Sequence, residues 1–171
     1  LGSENQDLPP YMVLRDPGSL PVLGPEMWQN TWLPSGCAGT VVHAHEPRIA
    51  NLQPARHLPA SGQKRLLRFL EDVNRKQLQR FPNEPQFIAR IQAYQLAAGM
   101  QVAAREALDI SRETSETHRL YGIDDPQTKE FGTRCLIARR LVERGVRFVQ
   151  VLSGDQHWDH HGGIVGGLPK T

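Results

Sequence analysis

Two carboxylates and three imidazoles fall within seven consecutive positions, in the run Asp155-Gln156-His157-Trp158-Asp159-His160-His161. Carboxylate oxygen and imidazole nitrogen are the donors that zinc, manganese and iron prefer. Asp159 and His161 can converge on one ion where the loop turns, and Gly154, Gly162 and Gly163 permit such turning. Asp155, His157 and His160 are further donors of the same kind. A metal held there would polarise a phosphoryl or sulfuryl oxygen, or activate water near neutral pH. The competing reading is a solvated surface loop, since His and Asp also cluster where nothing binds.

Other candidates carry less. His43 and His45 alternate as strand residues do. They are either two ligands on one face or polar positions in a half-exposed strand. His57 and His118 are isolated and read as surface residues. Ser35-Gly36-Cys37 has no base nearby in sequence to activate a nucleophile. Ser153-Gly154 follows an apolar run but lacks the G-x-S-x-G elbow. Arg134, Arg139, Arg140 and Arg144 are spread around a helix and read as a solvated face, with an anion contact as the lesser alternative. Neither a P-loop nor a GxGxxG fingerprint occurs.

The elements that must position the loop follow from periodicity. Residues 146–152, Val-Arg-Phe-Val-Gln-Val-Leu, read as a strand covered on both faces. A helix over 125–143 precedes it, with Phe131, Cys135, Leu136, Leu141 and Val142 as its apolar face and Gly145 as its C-cap. Helix, glycine, strand and polar loop make an α/β unit, and in such sheets ligands lie off the carboxyl ends of the strands. Upstream, 61–81 carries apolar residues at helical spacing, with Ser61 as cap and Pro82 beyond its end. A second helix over 85–108 begins on Pro85, with Phe87, Ile88, Ile91, Tyr94, Leu96, Met100 and Val102 as its apolar side. The two form an antiparallel pair. Residues 109–126 are polar and broken by Tyr121-Gly122 and Asp125-Pro126.

Residues 1–60 hold 9 of the 13 prolines. They read as loop with short strands at 11–14 and 39–43, anchored by Met27, Trp28, Trp32 and Leu33. At 171 residues the chain has room for one core. A net charge of +2, with both signs interspersed, gives no electrostatic pull on nucleic acid or membrane. No apolar run reaches the roughly 20 residues a membrane helix needs. Cys37 and Cys135 make no metal-binding pair, so a disulfide and two free thiols both stay open. A start at Leu1 and an end after a glycine-rich stretch read as the edges of an interior piece of a longer protein.

The run 131–151, Phe-Gly-Thr-Arg-Cys-Leu-Ile-Ala-Arg-Arg-Leu-Val-Glu-Arg-Gly-Val-Arg-Phe-Val-Gln-Val, followed by Trp158-Asp159-His160-His161, resembles the sulfatase-like family called domain of unknown function 1501. Leu8-Pro9-Pro10-Tyr11, Gly24-Pro25-Glu26 and Leu120-Tyr121-Gly122 match it too. The resemblance implies an α/β fold, here part of one alkaline-phosphatase-like domain spanning 1–171: a loop-rich segment at 1–60, a helical pair at 61–108, and a helix, strand and metal loop at 125–171. It also implies a metal-dependent hydrolase of phosphate or sulfate esters, acting on a small-molecule or polysaccharide ester. The W-D-x-H motif carries the metal-ligand role onto Asp159 and His161. His160 fills the variable position, and Asp155 and His157 lie outside the motif. The metal would be divalent: zinc, manganese or calcium. The nucleophile and further ligands would lie outside this chain, leaving the piece alone inactive. The resemblance also implies export. A non-catalytic binding module, and an interaction domain built on the 61–108 pair, are the alternatives.

Overall fold

A computed structural model describes residues 5–18, 20–21, 23–33, 37–50, 52, 59–82, 85–153 and 163. The fold is α/β. Three strands, β1 (Tyr11–Leu14), β2 (Thr40–Val42) and β3 (Phe148–Val151), form a parallel sheet in the order β2-β1-β3. The helices are α1 (Ala60–Arg80), α2 (Pro85–Leu108), α3 (Ser115–Leu120) and α4 (Lys129–Glu143). Short 3-10 turns occupy Gly24–Trp28 and Ile110–Arg112.

Parallel sheets need cover on both faces, because their strands are apolar on both sides. Met12 and Leu14 of β1, Val42 of β2, and Val149 and Val151 of β3 point to one face. There they pack with Met100, Ala104, Ala107 and Leu108 of α2 and with Ile137 and Leu141 of α4. On the other face Val13 is fully buried under the segment before β2. That segment comes so close that a side chain on Gly39 would lie 2.7 Å from Val13 and 2.9 Å from Tyr11.

The sequence places the turn from α4 at Gly145, and the chain turns there. β3, however, begins at Phe148 rather than 146, and Phe148 is exposed, so the strand is not covered on both faces. Gly145 has φ +83°. Its N–H donates to the Val142 carbonyl (2.9 Å) and that of Val146 to the Leu141 carbonyl (3.1 Å). This is a Schellman turn, which ends the helix and turns the chain into the strand.

Several expectations need correction. α1 starts at Ala60, so Ser61 lies inside the first turn; Pro59 is the cap residue and no side chain caps it. α4 starts at Lys129, because 125–128 turns about Asp125, whose side chain accepts from Gln127 N (2.9 Å). Within the polar linker Thr114 caps α3 by accepting from Thr117 N. Of the loop anchors, Trp28 is buried while Trp32 is 88% exposed. α2 buries its small side, Met100, Ala104, Ala107 and Leu108, while Ile88, Tyr94 and Val102 are exposed. α4 likewise leaves Phe131 and Val142 exposed. It buries Arg134 and Arg140, so the arginines are not a solvated face. Cys37 and Cys135 are both free thiols.

Gly132 in the first turn of α4 packs against the end of α3. A Cβ there would stand 1.8 Å from the Tyr121 carbonyl oxygen. Backbone must move to admit it, so Gly132→Ala should cost about 2 kcal/mol or more, read as a lower urea midpoint with an unchanged slope. A midpoint equal to wild type would refute this close approach.

Candidate functional site at the carboxyl edge of the sheet

Parallel register brings three strand ends to one level. Leu14 pairs with Val42 on one side and with Val151 on the other. The pattern continues one residue further: Arg15 N donates to Val42 O (3.2 Å) and Leu152 N to Leu14 O (2.9 Å). Arg15, His43 and Leu152 therefore leave the sheet side by side, at the edge where α/β proteins place their ligands. In the sequence, residues 155–161 follow shortly after Ser153. Asp155, His157, Asp159, His160 and His161 themselves lie outside the described residues, as does His57.

Behind this edge Arg134 reaches from α4 to Asp16, two residues past β1, at 2.8 Å. Arg134 is 2% exposed and the Asp16 side chain 21%. The pair spans 118 residues of sequence and sets the end of β1 against α4. Such a pair forms only in the folded chain, so helical periodicity gave no sign of it. Arg140, six residues further along α4, donates to the carbonyls of Ala107 (2.9 Å) and Glu106 (2.9 Å) and pairs with Glu113. Hydrogen bonds from Arg139 and Arg140 hold the Glu113 carboxyl below its usual range.

His43 and His45 follow β2 directly. Their rings stack with centroids 5.6 Å apart and an interplanar angle of 11°. His43 is half-buried and His45 exposed. Burial lowers the His43 pKa, and the charges of Arg15 and His45 lower it further. The turn they enter is pinned by His43 N donating to Arg48 O (2.7 Å) and by Arg48 Nη1 donating to Ala44 O (2.5 Å). Beside the turn lies a cavity of about 950 Å³, with Arg48, Ile49, Leu52, Arg105, Leu108 and Ile110 among its lining. His118, read as isolated, bonds Ile110 O through Nε2 at 3.1 Å.

A family model for a protein of unknown function (DUF1501) matches residues 1–171. The chain belongs to the DUF1501 family. No curated protein and no solved structure matches it. For this DUF1501 chain the site must therefore be argued from its own residues. Among the described residues no three His, Cys, Asp or Glu side chains are placed to hold a metal ion. A metal centre would draw on donors outside them. By donor chemistry the run 155–161, with two carboxylates and three imidazoles between glycines in the sequence, fits a divalent ion. Among the described residues no helix is long and apolar enough to cross a membrane.

Asp16→Ala leaves a buried guanidinium without its carboxylate. Loss of one partner of such a pair costs about 3 kcal/mol, so the variant should unfold at clearly lower urea concentration than wild type. Unchanged stability would mean that Arg134 does not depend on Asp16.

Proposed function

We propose that this DUF1501 chain is part of a metal-dependent hydrolase of phosphate or sulfate esters, within an alkaline-phosphatase-like, sulfatase-like domain. The observation that carries the reading is that β1, β2 and β3 end at one level; in the sequence the Asp159/His161 motif follows β3. Asp159 and His161 are the proposed ligands, with Asp155, His157 and His160 as further donors. When bound, a divalent metal would supply Lewis acidity towards the ester oxygen or an activated water. The chain's own part is to orient the ligands. β3, fixed in register to β1, holds the base of the loop, and the Arg134–Asp16 pair holds the neighbouring strand end. Since a catalytic zinc takes about three protein ligands plus water, Asp159 and His161 would share the ion with further ligands.

A second reading, an interaction module, is favoured by the α1–α2 pair. Leu66, Phe69 and Val73 of α1 are exposed at i, i+3, i+7 spacing, and so are Ile88 and Val102 of α2.

The two separate on full-length protein titrated calorimetrically with zinc and manganese and assayed on phosphate and sulfate monoesters. Outer-sphere changes cost metal sites about 10- to 100-fold in affinity, so Asp159→Ala and His161→Ala should each cost at least that, with activity falling alongside. Wild-type affinity in the double variant would end the metal assignment. A full-length protein that binds metal yet turns over neither ester would leave the module reading standing.

A further inference from the structure

The carboxyl edge carries a group of positive and imidazole side chains that the metal ligands proposed above do not use. Arg15 follows β1, and His43 and His45 follow β2. The Arg15 N–H bond to Val42 O sets Arg15 beside the start of the histidine turn. Arg15 Nε is buried and has no hydrogen-bond partner among the described residues. A buried donor left unpaired is destabilising, so such a group in a folded protein asks for a partner.

The nearby carboxylates are drawn elsewhere. Asp16 pairs with Arg134 at 2.8 Å, and Glu46 with Arg48 at 3.2 Å. A metal cation on the stacked imidazoles would face the charge of Arg15. An anion would meet the opposite situation. It could accept from Nε of Arg15 and from a ring N–H of each histidine, and its charge would oppose the burial and the neighbouring positive charges that lower the His43 pKa. Arg is suited to the role because its planar fork matches a tetrahedral oxyanion.

We propose that Arg15, His43 and His45 form a seat for the oxyanion of a phosphate or sulfate group at the carboxyl edge of the sheet. The identity of the group rests on the hydrolase reading above; the positive character of the seat does not. In that reading the seat holds the ester's non-bridging oxygens. Arg15, His43 and His45 are then binding residues.

The test is NMR on the intact protein, labelled with ¹³C at the histidine rings, with EDTA present so that binding is read without metal. Inorganic phosphate, sulfate and chloride are titrated at matched ionic strength. Phosphate or sulfate should move the His43 and His45 ring signals saturably, chloride should not, and the tighter of the two names the group. Arg15→Gln should weaken that affinity by about tenfold or more, as loss of a hydrogen bond to a charged group does. If Arg15→Gln melts early, His43→Asn and His45→Gln make the same test from the other side. Equal shifts with chloride, or wild-type affinity in a folded Arg15→Gln, overturn the seat. Loss of the seat with metal binding at Asp159 and His161 intact leaves the hydrolase reading in place. Saturable anion binding by a protein without metal-dependent turnover supports the seat and refutes the hydrolase.

Discussion

Arg134 is the residue on which the site's geometry most depends. Taking a guanidinium almost wholly out of water is costly, and the cost is offset only when a carboxylate meets it in good geometry. Asp16 does so at 2.8 Å, from the end of the central strand. The Phe131 ring lies 5.6 Å from the guanidinium carbon and gives further cover. Two elements more than a hundred residues apart are thereby held at the edge where β1, β2 and β3 finish. Arg140 does the corresponding work at the other end of α4. It takes two carbonyls from the last turn of α2 and the carboxylate of Glu113, and so joins α2, the linker and α4. One helix with two buried cations thus sets both the helical layer and the level of the sheet edge.

The sheet turns that placement into a site. In parallel pairing the same edge receives every strand's carboxyl end, so polar residues that are distant in sequence become neighbours. Arg15 and His43 meet in this way, with Leu152 leaving the sheet on the other side of β1. Apolar cover on one face by α2 and α4, and on the other by the segment at Gly39, leaves the strand ends as the place where polar groups collect. Membership of DUF1501 places the whole chain in one family; what the edge binds is argued from its residues.

Much of the scaffold was legible in the sequence because it is written locally. The 3.6-residue period and Pro85 set α2 at 85–108, and Gly145 marks the turn into β3. The short strands read at 11–14 and 39–43 are present, the second trimmed to 40–42. What was not legible depends on distant partners. Arg134 and Arg140 look like surface residues until Asp16, Glu113 and the end of α2 are brought to them. α2 has apolar residues all round, so periodicity could not say that Ala104 and Ala107 face the core while Val102 faces water. α3 was hidden because six residues are too few for a period, and Thr114 was its one local signal. For the site itself, sequence supplied the donor cluster at 155–161 and weighed His43 and His45 as a pair. That Arg15 stands beside them follows only from strand pairing.

The central claim is that metal chemistry sits on the carboxyl edge of this sheet, beyond Leu152. Anomalous diffraction at the zinc edge, from crystals of the intact protein grown with zinc, tests it most directly. The account predicts a peak about 2.0–2.2 Å from an Asp159 oxygen and a His161 nitrogen, on the side of the sheet where Arg15 and His43 emerge. A zinc peak elsewhere in the fold, or no protein-bound zinc under those conditions, would contradict it.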